Sequence, residues 1–208
     1  MPIVTTGSRT TPSPVNGAAP PLLKRFTLDE YHRIIEHGIL ASGAPFELLN
    51  GWIIQKMTIS PPHASAVGRT TRRLLMVLPT DLVLRVQQPI SIPATDSEPE
   101  PDVAVAKGPE SRYDSRHPTP RDVLLLAEVA DSSILLDQGE KLIAYARARV
   151  PVYWIVNLEA RRVEVYTDPR GGRTPTYRTR TDYAPGTAVP VVIAGGMVGS
   201  IPAGELLP

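Results

Sequence analysis

Asp102, Glu128 and Lys141 are the residues of this chain whose types and spacing could do chemistry. Asp102 ends the run Glu98-Pro-Glu-Pro-Asp102, and Val103-Ala-Val-Ala106 follows it as a short apolar strand. Glu128 interrupts Asp122-Val-Leu-Leu-Leu-Ala-Glu-Val129, an otherwise apolar stretch that reads as a strand covered on both faces. A carboxylate buried without a partner is costly, so it is ionised against a cation or metal, or kept protonated. Alternation places Glu128 on one face with Leu126 and Leu124, a polar group on an apolar wall. Lys141 stands in a helix-like segment with Asp137 and Tyr145 one turn to either side. Two acids on two strands and a lysine soon after suggest a metal site with a cationic helper. The plainer readings are a structural ion pair for Glu128, a turn acid after Pro101 for Asp102, and an exposed lysine paired with Asp137 for Lys141.

The elements that must position these residues can be read in order. Residues 1–24 are rich in Thr, Ser, Pro and Gly without periodicity and are expected to form a flexible arm, leaving 25–208 as one domain. Thr27-Leu-Asp-Glu30 fits a capping box opening a helix to about His37, which Gly38 ends. Asn50-Gly51 between Phe46-Glu-Leu-Leu49 and Trp52-Ile-Ile-Gln55 signals a hairpin, with Glu47 on one face of it. Ser60-Pro-Pro-His63 starts a helix to about Leu78, expected to bury Val67, Leu74, Leu75 and Leu78. A strand is predicted over Leu82 to Gln87, continuing past Pro89 to Ile92. The stretch Lys107 to Arg121 reads as a long loop, a candidate lid or contact surface. Ser132 or Ser133 caps a helix over about Leu136 to Ala148, and Val152 to Asn157 is a further buried strand, giving a parallel βαβ unit. Arg162 to Tyr166 pairs back on it, and short strands with a last apolar piece, Glu205-Leu-Leu207, finish the chain.

Composition sets limits. The 208 residues suit one domain, 42% are hydrophobic, and the net charge of +1 announces no global attraction to nucleic acid. The absence of cysteine removes disulfides and thiolate metal sites. No apolar run approaches the roughly 18 residues that span a bilayer, and no secretory leader pattern opens the chain, so a cytoplasmic protein without membrane contact is expected. Glu98 and Glu100 read as solvated edge acids, either of which could reach a second metal. His32, His37 and His117 read as surface or packing residues, and Tyr145, Tyr153 and Trp154 as core. Arg69, Arg72, Arg73, Arg147 and Arg149 read as a solvated surface before a phosphate-binding one. The segment around Arg112-Tyr113 and the long arm point to a homodimer.

Pro101-Asp102, Glu128 and Lys141 resemble the PD-(D/E)xK nuclease superfamily. The fuller set resembles the Uma2 family (DUF820) of restriction-endonuclease-like proteins. It consists of Ser97-Glu-Pro-Glu-Pro-Asp102, Arg112-Tyr113, His117-Pro118, Glu128-Val-Ala-Asp-Ser-Ser133, Asp137 with Lys141, and Tyr153-Trp154, with Glu47, Gly51, Pro62-His63 and Gln87-x-Pro89 upstream. The resemblance covers about residues 26 to 205. Ala130 stands where the superfamily pattern has its lysine, and Lys141 on the following helix is the match. The resemblance implies an α/β fold, a restriction-endonuclease-like mixed β-sheet flanked by α-helices. It implies a metal-dependent endonuclease acting on nucleic acid, DNA in the first place, with Mg²⁺ or Mn²⁺ held by Asp102, Glu128 and the backbone carbonyl of Val129. Lys141 would orient the attacking water or stabilise the transition state, with Glu47, His63, Gln87 and Tyr145 as accessory residues. The rival readings are a nuclease fold used as a silent binding or regulatory module, and a metal-dependent hydrolase of another phosphoester.

Overall fold

The computed structural model describes residues 23–208, so the arm expected over residues 1–24 lies, as far as residue 22, outside the described residues. The capping box forms as expected: Thr27 accepts from the Glu30 amide, Glu30 returns a bond to the Thr27 amide, and α1 runs Leu28–Glu36. Asn50 and Gly51 take positive φ, 51° and 78°, and join β1 (Phe46–Leu49) to β2 (Trp52–Gln55) in a two-residue hairpin. Ser60 caps α2 (Pro61–Val77), with prolines in the first turn where the missing N–H costs nothing.

Six strands make the main sheet, in the order β3 (Leu82–Val86), β4 (Val103–Lys107), β5 (Val123–Ala130), β6 (Val152–Asn157), β7 (Arg162–Arg170), β8 (Thr176–Tyr183). Every neighbouring pair is antiparallel except β5 and β6, which are parallel. The expected βαβ unit is therefore present. Its crossover comprises α3 (Ile134–Leu136), a π-helical turn (Asp137–Lys141) and α4 (Leu142–Arg147). A separate hairpin, β9 (Ala188–Ile193) and β10 (Gly196–Pro202), follows.

Apolar residues pack in two layers. On one side α2, β9, β10 and the C-terminal Leu206 and Leu207 cover Val103, Val105, Ala127 and Trp154. On the other, Tyr145 of α4 joins Tyr153, Tyr166 and Tyr177 over Ala104 and Leu126. Tyr153 meets Tyr145 edge-on at 5.0 Å and stacks on Tyr166 at 5.8 Å between ring centroids. An aromatic side chain of this kind removes about 150–250 Å² from water, on the order of 4–6 kcal/mol of transfer free energy. Among the described residues no helix is long and apolar enough to cross a membrane.

Five expectations need correction. Leu75 is 60% exposed, because α2 turns Ala66, Val67, Thr70 and Leu74 to the sheet instead. Leu124 does not share a face with Leu126 and Glu128: the register of β4 and β5 slips between Val105 and Ala106, so Leu124 is an extra residue and packs in the α2 layer. The third strand stops at Val86, because Gln87 takes φ 51° and turns the chain; Ile92 makes only an isolated bridge to Ser97. The expected continuous helix over Leu136 to Ala148 is broken by non-helical backbone at Gly139 inside the π turn. Ser133 occupies the position before α3 but donates to Asp137 Oδ2 at 2.5 Å rather than capping the backbone.

Candidate active site

The register of β4 and β5 builds the floor of the site. Val103 pairs with Ala127, so Asp102 and Glu128 sit at the same end of adjacent strands. There they are cross-linked. Asp102 Oδ2 accepts from the Val129 amide at 2.8 Å, and the Asp102 amide donates to Glu128 Oε2 at 3.3 Å. The first turn of α2 brings His63 Nε2 within 3.1 Å of Asp102 Oδ2, and the turn at Gln87 lets its amide donate to Oδ1 at 3.2 Å. The proline-led helix start and the positive φ of Gln87 thus act on one carboxylate.

Glu128 faces the crossover. Its Oε1 accepts from Lys141 Nζ at 3.1 Å and from the Tyr145 hydroxyl at 2.7 Å. Lys141 Nζ also lies 3.5 Å from Glu47 Oε1 and 4.0 Å from Asp137 Oδ1. Glu47 in turn accepts from the Glu100 amide at 3.0 Å, tying the first hairpin to the approach of β4. The predicted residues Asp102, Glu128, Lys141, Glu47, His63 and Gln87 all line one cavity of about 710 Å³. Tyr145 is buried behind it and touches it through Glu128.

Asp137 belongs to the site more fully than its sequence position suggested. It is buried and lines the cavity, and its Oδ1 has no hydrogen-bond partner. Its i−4 spacing from Lys141 was the available signal. Lys56, which forms a short ion pair with Glu100, and Asp131, which accepts from Ser60 at 2.5 Å, also line the cavity. Asp131 falls within the Glu128-Val-Ala-Asp-Ser-Ser133 stretch, whereas Lys56 has no distinguishing pattern in the sequence. Glu98 is not a solvated edge acid: it is buried, held by His32 at 2.9 Å and Ser91 at 2.6 Å. Of the arginines, Arg69 bonds the Leu207 carbonyl and Arg73 pairs with Glu205, so these two are occupied at the C-terminus.

One ammonium stands among three carboxylates, and the titration follows from that imbalance. Burial pushes the Glu128 carboxyl up to about 8, and the negative fields of Asp137, Asp102 and Glu47 reinforce this against Lys141. Asp137 is raised for the same first reason, burial. Burial alone would depress Lys141, but Glu128, Glu47 and Asp137 outweigh it and hold the ammonium charged. The two shifts look opposed, since a charged lysine should favour an ionised Glu128. They reconcile if the lysine keeps its proton and one of the crowded carboxyls keeps another, Glu128 being deeply buried. Asp102 differs: burial works to raise it, but the His63 hydrogen bond and charge and the Val129 amide hold it below the usual carboxylate range.

This donor set fits a hard divalent cation. Among the described residues no cage of three or more His, Cys, Asp or Glu side chains is formed. Mg²⁺, however, is bound through one or two carboxylates, with waters and substrate phosphates completing its shell. Carboxylates outnumber cations around Lys141, and the buried Asp137 Oδ1 makes no hydrogen bond, with Lys141 no nearer than 4.0 Å.

A mixed sheet with acids at the ends of two adjacent central strands and a lysine on the following crossover places the chain among nuclease-like folds. The model of the Uma2 family, described as "Putative restriction endonuclease", matches residues 28–195, and the chain belongs to that family. A solved structure with the same fold is that of "a putative nuclease belonging to DUF820" from Anabaena variabilis ATCC 29413. It has a TM-score of 0.59 and 15% identity, and the match covers 87% of this chain and 97% of that one. No curated protein matches the chain.

Proposed function

We propose that the protein is an endonuclease that hydrolyses phosphodiester bonds in nucleic acid, DNA in the first place, with Mg²⁺ or Mn²⁺. The observation that carries this reading is the convergence of Asp102, Glu128 and Lys141 in one cavity of a nuclease-like fold. Asp102, Glu128 and the carbonyl of Val129 would hold the ion, which when bound polarises the phosphate and lowers the pKa of an attacking water. His63 and Gln87 fix the Asp102 carboxylate by hydrogen bonds to its two oxygens. Tyr145 fixes the rotamer of Glu128. Lys141, held charged by its three acids, supplies a cation beside the reacting phosphate, where it orients the water or stabilises the developing charge. A cytoplasmic protein acting as a C₂ homodimer, with two sites for paired cuts, belongs to the same proposal.

The test is a cleavage assay on single- and double-stranded DNA and RNA with Mg²⁺ and with Mn²⁺, beside Asp102→Ala. Metal-dependent cutting that the variant abolishes supports the reading, and its absence on every substrate counts against it. A second reading has an observation of its own. Among the described residues Lys56 and Lys141 are the only lysines lining the cavity, no arginine lines it, and both lysines are engaged by acids. A cleft poor in free cations suits a binding or regulatory module better than it suits a polyanion-cutting enzyme, unless cations are supplied from beyond the cavity.

A further inference from the structure

Cations for a polyanion do lie nearby, on the edge strand and in the loop between β4 and β5. Arg85 projects from β3 opposite Ala104, two residues, or about 7 Å, along the ladder from Asp102. Its guanidinium lies 5.5 Å from the centre of the Tyr113 ring. Arg116 lies 5.3 Å from the same ring, and Tyr113 is fixed by its hydroxyl bond to the Lys107 carbonyl at 2.6 Å. The two arginines differ in one respect. Arg116 makes a two-pronged bond to Asp122, at 2.8 and 3.3 Å. Arg85 pairs with no carboxylate among the described residues, and its Nε is buried without a hydrogen-bond partner. Burial holds the Arg85 guanidinium below its ordinary value, offset in part by the Tyr113 hydroxyl and Glu110. A half-buried, uncompensated guanidinium fork on an aromatic ring is built to accept a phosphate.

Gln87, two residues beyond Arg85 in the chain, lines the Asp102–Glu128 cavity. A second cavity of about 460 Å³ shares Gly43 and Glu100 with the first and reaches His117, the neighbour of Arg116. We infer that Arg85, stacked on Tyr113, is a phosphate-binding subsite for a nucleic-acid strand entering the Asp102–Glu128 cavity. This rests on the nuclease reading for its ligand, and it locates a cation held by no carboxylate, whereas Lys56 and Lys141 in the cavity are both engaged by acids. The long loop from Lys107 to Arg121 then serves as the wall that holds Tyr113 against Arg85.

The experiment is anisotropy of a fluorescein-labelled DNA oligonucleotide, single-stranded and then duplex, titrated with salt in EDTA so that nothing is cut. Arg85→Gln is expected to raise Kd about tenfold, the loss of one charge-assisted contact, and to reduce the slope of log Kd against log salt by about 0.7 on the single strand. Arg178→Gln, on the far strand β8 where Arg178 pairs with Asp168, is expected to change neither. Should Arg85→Gln prove unfolded on melting, Arg85→Lys decides: losing the planar fork raises Kd about threefold or more, with the slope kept. Unchanged affinity and slope in Arg85→Gln, unchanged affinity in Arg85→Lys, or no binding by the wild type overturns the subsite. Cleavage in Mg²⁺ is scored separately. Arg85-dependent binding without cleavage leaves the subsite standing and removes the nuclease reading, whereas cleavage indifferent to Arg85 does the reverse.

Discussion

Lys141 Nζ lies 3.5 Å from Glu47 Oε1, so the ammonium of the crossover is clasped by a carboxylate of the first hairpin as well as by Glu128 at 3.1 Å. The lysine is therefore not half of a simple pair. Among the described residues it is the one cation of a three-acid cluster, and the consequences of removing any member differ.

Replacing Lys141 by Met leaves Glu47, Glu128 and Asp137 facing one another in a buried pocket. The cost is expected at about 3–5 kcal/mol, the usual penalty for stranding buried charge. Protonation relieves it, so the variant should recover at acidic pH. Denaturant titrations at acidic and alkaline pH measure this, and a pH-independent loss would contradict the cluster.

Glu128→Gln should behave in the opposite way. The glutamine carbonyl can still accept from Lys141 and Tyr145, only the 3.3 Å bond from the Asp102 amide to Oε2 is lost, and Lys141 keeps Glu47 and Asp137, so no buried cation is left alone. Metal-free stability should hold or rise, because one of the mutually repelling acids is gone. Stabilisation of the wild type by Mg²⁺ or Mn²⁺ should vanish in the variant. Melting temperatures with and without metal decide, and a large metal-independent drop would make Glu128 a structural ion-pair partner instead.

The pH dependence has a definite sign. The folded Glu128 carboxyl is raised from 4.5 to about 8, so between these values the native state holds more protons than the unfolded chain. Its contribution to stability is complete below about 4.5 and is lost as pH rises through about 8. Divalent-cation affinity should rise over the same interval, since the metal must displace that proton. Isothermal titration of Mn²⁺ across this range checks the second statement. Affinity that is flat with pH would place the metal away from Glu128.

Leu74→Ala and Leu75→Ala separate the two faces of α2. Leu74 is fully buried and its truncation should cost about 2–5 kcal/mol, whereas exposed Leu75 should change stability by no more than about 0.5 kcal/mol. Equal effects in urea titrations would mean that α2 packs in another rotation.

What the sequence determined by itself is what local chemistry dictates. Thr27 with Glu30 is a cap whatever surrounds it, and Asn50-Gly51 favours the positive φ pair that closes a hairpin. The apolar run around Glu128 can only be a strand covered on both sides, and an acid there demands a partner. Two strands joined by one helical stretch imply the parallel β5–β6 pair. Tertiary structure alone decided what depends on register and crossing. The slip at Val105 sent Leu124 to the other layer, and the turn at Gln87 brought its amide to Asp102. Packing of α2 chose Leu74 over Leu75, and packing of the hairpin delivered Glu47 to Lys141. The helix breaks at Gly139, and Asp137 presents an oxygen without a hydrogen bond to the cavity. Local preferences extend over a turn or a strand, whereas each of these contacts is set by how separate elements pack, and no short-range pattern encodes that distance.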